Sequence, residues 1–289
     1  MAAGSTVFEE QRPRLAQLAY RMLGSLADAD DVLQEAYVRW TREDRSDVKS
    51  VWGYLSSIVV RLCIDQRRIV EARQQSYVGP WLPEPMIDEG QSDPSATLEA
   101  AESVSLAFMV VLESLSPVER AAYLLRRVFD FGYPEIGKVL DKSEPNCRQL
   151  VHRAEESIRD RRPRFVADQQ DAERIASAFL SACASGDLDG LIGLLAADAV
   201  VYSDGGGKVP AARTPIRGAL RVARFFLGVT KKAPPGMEVR RVRVNGQPGL
   251  MALSDYQVVT VLTFDICDGR IVTCYAIRNP EKLARIRVE

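Results

Sequence analysis

The segment from Gly79 to Pro94 interrupts the helical pattern of this chain and so limits how it can fold. Its run Gly79-Pro-Trp-Leu-Pro-Glu-Pro85 cannot continue a helix, because proline has no amide hydrogen and its ring clashes with the preceding turn. On either side, apolar residues recur at the spacing of amphipathic helices. We therefore predict a helical domain over residues 6–73, an acidic, proline-rich linker over 74–94 and a second helical domain over 95–165.

After Asp168 the pattern changes, because strands join the helices. Two amphipathic helical segments are accompanied by runs of alternating apolar and polar residues. The clearest of these runs are Glu238–Val244, Gln257–Ile266 and Arg270–Arg278. We predict an α+β domain over residues 168–289. A chain of 289 residues with 46% hydrophobic composition can supply several domains with cores of their own.

Charge and cysteine content narrow the function classes. A formal net charge of −1 argues against a protein that binds nucleic acid without help from a partner. The five cysteines form no CxxC pair, so we expect no metal site, no disulfide framework and no cofactor. The sequence has no run of about 18 apolar residues, so we expect a cytoplasmic protein that does not contact a membrane.

One helix of the first domain combines an apolar face with acids and an amide. Leu33, Ala36 and Trp40 recur at helical spacing, whereas the polar side chains project elsewhere. These polar residues are Asp28, Asp31, Gln34 and Glu35. The plain interpretation is a solvated helix face, and the alternative is a surface that binds a partner.

The second helical domain has the pattern of a helix-turn-helix. Ser116 and Glu119 form a capping box, and a short helix over Tyr133–Leu140 is followed by a tight turn and a longer helix capped by Ser143. Such a second helix enters the major groove of DNA, although an ordinary three-helix bundle remains an alternative. Its candidate donors and acceptors for base edges and phosphates are Asn146, Arg148, Gln149, His152 and Arg153.

The stretch Tyr20–Leu26, the acidic helix and the stretch Trp52–Arg68 together resemble region 2 of bacterial sigma factors of the extracytoplasmic-function (ECF) group. The helix-turn-helix lies where these proteins have region 4. The resemblance implies a specificity subunit of RNA polymerase. It implies contacts to the β′ clamp helices of the core polymerase from Asp28, Asp31, Gln34 and Glu35. It implies contacts to the promoter −10 element from Arg61, Asp65, Gln66, Arg67 and Arg68. It implies contacts to the −35 element from Ser143, Asn146, Arg148, Gln149, His152 and Arg153.

Three further motifs resemble the ECF subgroup that carries a fused SnoaL-like domain: WLPEP in the linker, DGGGK at 204–208 and NPEKL at 279–283. The resemblance implies an NTF2-type α+β cone that modulates the sigma domains through the linker, with no separate anti-sigma factor. We expect Lys208 to attract the acidic linker, including Glu84. The expected regulatory contacts are Trp81, Leu82, Pro83, Glu84, Pro85, Asp204, Gly205, Gly206, Gly207, Lys208, Asn279 and Pro280.

Two other functions remain open. SnoaL-like enzymes often use histidine and aspartate in the cone, but His152 is the only histidine of the chain and lies in the helix-turn-helix. A polar pocket is still conceivable from Asp198, Tyr202, Asp204, Asp255, Tyr256 and Asp265. A ligand-responsive repressor is the other alternative. We predict a sigma factor that is not an enzyme, with core polymerase and promoter DNA as partners and a small ligand of the cone as a further candidate.

Overall fold

The computed structural model describes residues 2–42, 48, 50–88, 105–159 and 169–287. The chain forms two units, one of Met1–Ser76 with Val111–Arg162 and one of Tyr77–Val110 with Pro163–Glu289. Of the described part of the expected linker, residues 77–88 belong with the C-terminal residues, whereas residues 74–76 belong with the first unit, where a helix runs to Gln75. The expected boundaries near residues 94 and 168 lie outside the described residues.

The first unit is helical, and its N-terminal half packs three helices around a core that includes Leu33, Trp40 and Val59. Helix α2 buries Ala29 and Ala36 on the same stripe, which confirms the predicted apolar face. The helices of this half are α1 (Ala2–Leu23), α2 (Leu26–Arg42) and α3 (Val51–Gln75).

The other half of this unit contains the predicted helix-turn-helix. The Ser116 hydroxyl accepts from the Glu119 amide at 3.4 Å and the Glu119 carboxylate accepts from the Ser116 amide at 3.2 Å, so the capping box is confirmed. The turn is tight, since a Cβ on Gly137 would lie 2.7 Å from the Lys142 carbonyl oxygen. The helices are α4 (Leu106–Leu112), in which the division between the units falls, α5 (Pro117–Arg127), α6 (Tyr133–Leu140) and α7 (Glu144–Arg159).

The second unit contains a sheet of order β1-β4-β5-β6-β7-β2-β3, in which only the β2–β7 pair is parallel among the described strands. The strands are β1 (Ile87–Asp88), β2 (Leu195–Asp204), β3 (Ile216–Arg217), β4 (Glu238–Val244), β5 (Gln247–Ser254), β6 (Gln257–Cys267) and β7 (Arg270–Ile277). The helices are α8 (Gln169–Ser185), α9 (Leu188–Leu194), α10 (Ala219–Lys231) and α11 (Pro280–Leu283).

This sheet has a core on each face. Against one face, Phe179 of α8 packs edge-on to Phe226 of α10, with ring centroids 4.9 Å apart. Against the other face, Leu82 of the linker and Leu106 of α4 pack on side chains that include Ile277. Neighbouring residues of a strand point to opposite faces, and β2, β4, β5, β6 and β7 contribute side chains to both cores. The unit has the α+β cone fold expected of a SnoaL-like domain. No helix among the described residues is long and apolar enough to cross a membrane.

Candidate functional site

Helix α2 presents an exposed polar face. Asp31, Gln34 and Glu35 are all exposed, and the Glu35 carboxylate accepts from Arg39 Nε at 2.9 Å. Asp28 differs, because its carboxylate accepts from Gln66 Nε2 of α3 at 3.0 Å. Three of the four residues expected to contact polymerase are therefore accessible together, and Asp28 joins α2 to α3.

Helix α3 carries the residues expected to contact the −10 element, and the structure separates them. Asp65 and Arg68 are exposed, and their charged groups are 3.5 Å apart. The Arg61 guanidinium donates to the carbonyl oxygens of Lys138 and Val139, both at 3.1 Å. Arg61 thus satisfies carbonyl groups at the C-terminal end of α6.

Arg67 lies in a buried ion-pair triad with Glu113 and Arg120, so its guanidinium is not accessible to DNA in this conformation. Its side chain is 1% exposed and donates to both Glu113 oxygens, at 3.1 and 2.7 Å. Arg120 is fully buried and donates to Glu113 Oε1 at 2.8 Å. A carboxylate 46 positions along the chain neutralises Arg67, and the local pattern of bases could not show this.

The triad is electrostatically strong. Burial alone would raise the pKa of Glu113, but the charges of Arg120 and Arg67 and their hydrogen bonds hold this pKa below its usual value. Arg120 Nε also donates to the Arg21 carbonyl oxygen of α1 at 2.8 Å. The triad therefore ties α1 and α3 to α5. Sequence reasoning missed Arg120, although its position on the apolar stripe with Ala121 and Leu124 could have indicated a buried charge.

Helix α7 and Ser143, which directly precedes it, expose every residue expected to contact the −35 element. These side chains lie opposite the buried stripe that includes Cys147, Leu150 and Val151. The Arg148 guanidinium lies 4.4 Å from the centroid of the Tyr133 ring and also pairs with Glu144. The exposed residues are Ser143, Asn146, Arg148, Gln149, His152 and Arg153.

In the second unit, Asp204 at the end of β2 holds the linker. Its carboxylate is fully buried and accepts from Tyr77 Oη at 2.6 Å, the Leu82 amide at 2.9 Å and Lys282 Nζ at 2.7 Å. Asn279 Nδ2 donates to the Tyr77 oxygen at 2.8 Å. We call these five residues the linker clamp. Its buried charge is paired and hydrogen-bonded, as a buried carboxylate requires.

The glycines of the DGGGK loop permit this close approach. Gly206 has φ 62°, and a Cβ there would lie 2.5 Å from Asn279 Nδ2. The Gly206 amide donates to Asp204 Oδ1 at 3.0 Å. Burial, and then the hydrogen bond and charge of Asp204, raise the pKa of Tyr77, which therefore stays a donor.

A second attachment lies further along the linker. The Met86 amide donates to Asn245 Oδ1 at 3.0 Å, and the Asn245 amide donates to the Met86 carbonyl oxygen at 2.7 Å. The next two residues form β1, antiparallel to β4. Between the two attachments, Leu82 is 1% exposed and Trp81 lies under Lys282 Nζ, 4.1 Å from the ring centroid. Residues 77–88 are therefore a structural part of the second unit.

The comparisons with known proteins agree with this arrangement. Two family models match the helical parts, Sigma-70 region 2 over residues 7–71 and Sigma-70, region 4 over residues 105–158. The chain is 34% identical to the ECF RNA polymerase sigma factor SigJ of Mycobacterium tuberculosis, over 95% of this chain and 91% of that protein. This chain is an ECF sigma factor. It provides promoter recognition and transcription initiation, which implies core RNA polymerase and promoter DNA as its partners.

The likeness of this sigma factor to its relatives extends through the C-terminal unit. The crystal structure of the Mycobacterium tuberculosis SigJ protein matches with a TM-score of 0.78 and 32% identity, over 97% of this chain and 98% of that chain. The protein named as a probable ECF sigma factor SigI of the same organism is 28% identical over 99% of this chain and 96% of its own length. The fused domain is thus shared along with the sigma regions.

One expected contact in this sigma factor is replaced by another. Lys208 pairs with Glu281 on the surface and not with Glu84 of the linker, which is buried. The cation that reaches the linker is Lys282, which donates to the Leu82 carbonyl oxygen and to Asp204. Among the other residues expected to make regulatory contacts, Pro83, Pro85 and Gly205 are buried and Pro280 begins α11.

The six residues considered for a polar pocket in the cone do not form one around the cavity of the second unit. None of them lines this cavity, whose volume is about 810 Å³. Asp198, Asp255 and Tyr256 are exposed, and Tyr202 stacks on Tyr275 at 6.0 Å on the sheet face that carries the linker. Asp265 is half-buried, and burial raises its pKa to about 6. Asp204 belongs to the linker clamp.

Proposed function

We propose that the exposed faces of α2, α3 and α7 are the working surfaces of this sigma factor. Asp31, Gln34 and Glu35 would contact the polymerase core, and Asp65 with Arg68 would contact the −10 element. Ser143 and the five exposed polar residues of α7 would contact the −35 element. The observation that supports this most directly is that these five lie on the one face of α7 that the helical core leaves open.

The closed first unit is too small to reach both promoter elements. The −10 and −35 elements are separated by about 25 base pairs, which at 3.4 Å each is about 85 Å. A compact body of this unit's size is only about 36 Å across, taking a radius of gyration of about 14 Å. Region 2 must therefore separate from region 4. Separation would break the triad and release Arg61 and Arg67, which could then contact DNA.

The linker clamp would control this separation. The 34 residues from Tyr77 to Val110 could span roughly 120 Å when fully extended, which is enough for both elements. In the structure, Tyr77, Leu82 and Leu106 are instead all fixed to one domain. The C-terminal domain would thus modulate the sigma regions in cis, and no separate anti-sigma factor would be needed.

An enzymatic role for the cone receives little support. Catalysis by SnoaL-like proteins usually needs a general base, and the residues that line the cavity include no histidine, aspartate or glutamate. Burial raises the pKa of Cys183, a cysteine of that lining, to about 11, so its thiol stays protonated and weakly nucleophilic. We propose a non-catalytic domain in a protein that works in the cytoplasm beside its polymerase.

The test is run-off transcription with purified core polymerase and a promoter library. We expect promoter-specific transcripts from the unmodified chain and none from the Asp31→Lys, Glu35→Lys double variant, because charge reversal removes charge-assisted contacts to a basic surface. The control is Glu9→Lys with Glu10→Lys, two exposed acids of α1. Unchanged co-purification of the α2 variant with the core would overturn the assignment of Asp31 and Glu35 to the polymerase contact. Tight, specific DNA binding without polymerase would favour a repressor.

A further inference from the structure

The second unit contains a cavity that the linker clamp does not use. Its volume is about 810 Å³, within the range typical of small-molecule sites. It lies between α8, α10 and the sheet face opposite the linker, and apolar side chains dominate its wall. They include Phe179, Phe225, Val229, Leu250 and Leu262.

Two polar atoms in this wall are buried without a partner. Arg278 Nε and Ser203 Oγ are both inaccessible and have no hydrogen-bond partner among the described residues. Arg278 Nη1 donates to the Pro210 carbonyl oxygen, which fixes the guanidinium at the cavity. Folded proteins rarely leave buried donors unpaired, because each loses its hydration without compensation.

The charge of the lining has one sign. Arg278 and Lys232 are basic, and the lining residues include no acid. Arg278 has no ion-pair partner in the part of the chain that the structure describes, and burial lowers its pKa. A cation that is partly desolvated beside an apolar cavity is stabilised by an anion, and the guanidinium geometry suits a carboxylate.

We propose that this cavity binds a small, largely apolar molecule that carries one carboxylate. The apolar body fills the space between α8 and α10. The carboxylate pairs with the Arg278 guanidinium, on the part of the wall that Ser203 also lines. Nothing in this arrangement requires a reaction, since the site provides binding groups but no general base.

The site is connected to the linker clamp through the end of β2 and the residues that directly follow β7. Side chains alternate along a strand, so Ser203 points into the cavity while its neighbour Asp204 holds the linker. In the same way, Arg278 lines the cavity and Asn279 bonds to Tyr77. A ligand that engages Ser203 and Arg278 therefore binds one residue away from two members of the clamp.

The test uses fluorescence titration of the full chain with 1-pyrenebutyrate and with 1-pyrenebutanol, its neutral counterpart. We expect the acid to bind at least roughly tenfold more tightly than the alcohol, since the guanidinium bond is charge-assisted. Arg278→Met should remove this preference and leave alcohol binding within about threefold, because the cavity wall stays apolar. Arg224→Met is the control, since Arg224 is an exposed arginine of α10 outside the lining, and it should change neither affinity.

Failure of the unmodified chain to bind either probe would overturn the proposal. Equal affinity for acid and alcohol would overturn it as well, and this comparison stands even if the Arg278→Met chain does not fold. A preference for the acid that survives in a folded Arg278→Met chain would show that Arg278 is not the anchor.

Discussion

Replacing Glu113 by glutamine should destabilise the contact between the two halves of the helical unit. The substitution keeps the size of the side chain but removes the only carboxylate that both Arg67 and Arg120 contact within the triad. Both guanidinium groups are almost completely buried, at 1% and 0% exposure, so Arg120 would lose its carboxylate partner and Arg67 would keep only the exposed Glu71. Breaking a buried pair in this way costs about 3–5 kcal/mol.

Urea unfolding of the helical unit, followed by hydrogen exchange of the α3 and α5 amides, measures this loss. The control is Glu71→Gln, because Glu71 lies 3.6 Å from Arg67 Nε but is 40% exposed, and such a pair is worth less than about 1 kcal/mol. A Glu113→Gln chain that loses no more stability than the Glu71→Gln chain would refute the reasoning.

The pH dependence gives the same prediction with a definite sign. The pKa of Glu113 is lower in the folded protein than in the unfolded chain, where it is about 4.3. Its contribution is therefore fully present above about pH 4.3 and is lost as the pH falls through the folded pKa. The loss of stability in acid should be smaller for Glu113→Gln than for the unmodified chain, and equal acid dependence would contradict the account.

Two further changes test the promoter surface and the linker clamp. Arg148→Ala should weaken binding to the −35 element by about 1–3 kcal/mol and so lower transcription from promoters that contain it, while the circular dichroism spectrum is unchanged. Arg174→Ala, at an exposed arginine of α8, should have no effect. Full activity of the Arg148→Ala chain would exclude α7 as the helix that recognises the −35 element. Asp204→Asn should speed hydrogen exchange of the Leu82 amide, because it removes the charge that this amide and Lys282 contact. Lys208→Glu should leave that exchange rate unchanged, since Lys208 pairs with Glu281 on the surface. Faster exchange in the Lys208→Glu chain than in the Asp204→Asn chain would restore Lys208 as the contact to the linker.

The sequence predicted local structure well wherever the residues carry their own signal. The capping box at Ser116, the helix Tyr133–Leu140 and the strand Glu238–Val244 all lie where the pattern placed them. Strands β2 and β5 were not predicted. Pro248 and Gly249 are unfavourable in strands, so the sequence of β5 does not indicate a strand. Strand β2 pairs in parallel with β7, and this pairing forms only in the assembled sheet.

The sites were predictable as motifs but not as contacts. The linker and the DGGGK loop do lie together, yet the cation between them is Lys282 and not Lys208. The position of a cation depends on how α11 follows β7 in space, which no local pattern shows. Likewise, the sequence presents Arg67 as one of several basic residues that could bind DNA, and only the fold shows that Glu113 lies beside it. Long-range ion pairs are the part of the site that the sequence could not supply.

The most direct test of the central claim is the distance between region 2 and region 4 before and after promoter binding. Spin labels at Glu10→Cys in α1 and Glu156→Cys in α7, both exposed positions outside the proposed DNA contacts, would be placed in a chain with Cys267→Ser, because the other four cysteines are buried. We expect a distance below about 40 Å in the free protein, given a unit about 36 Å across. In the complex with core polymerase and promoter we expect the distance to approach the roughly 85 Å between the two elements. An unchanged short distance in a transcribing complex would contradict the account.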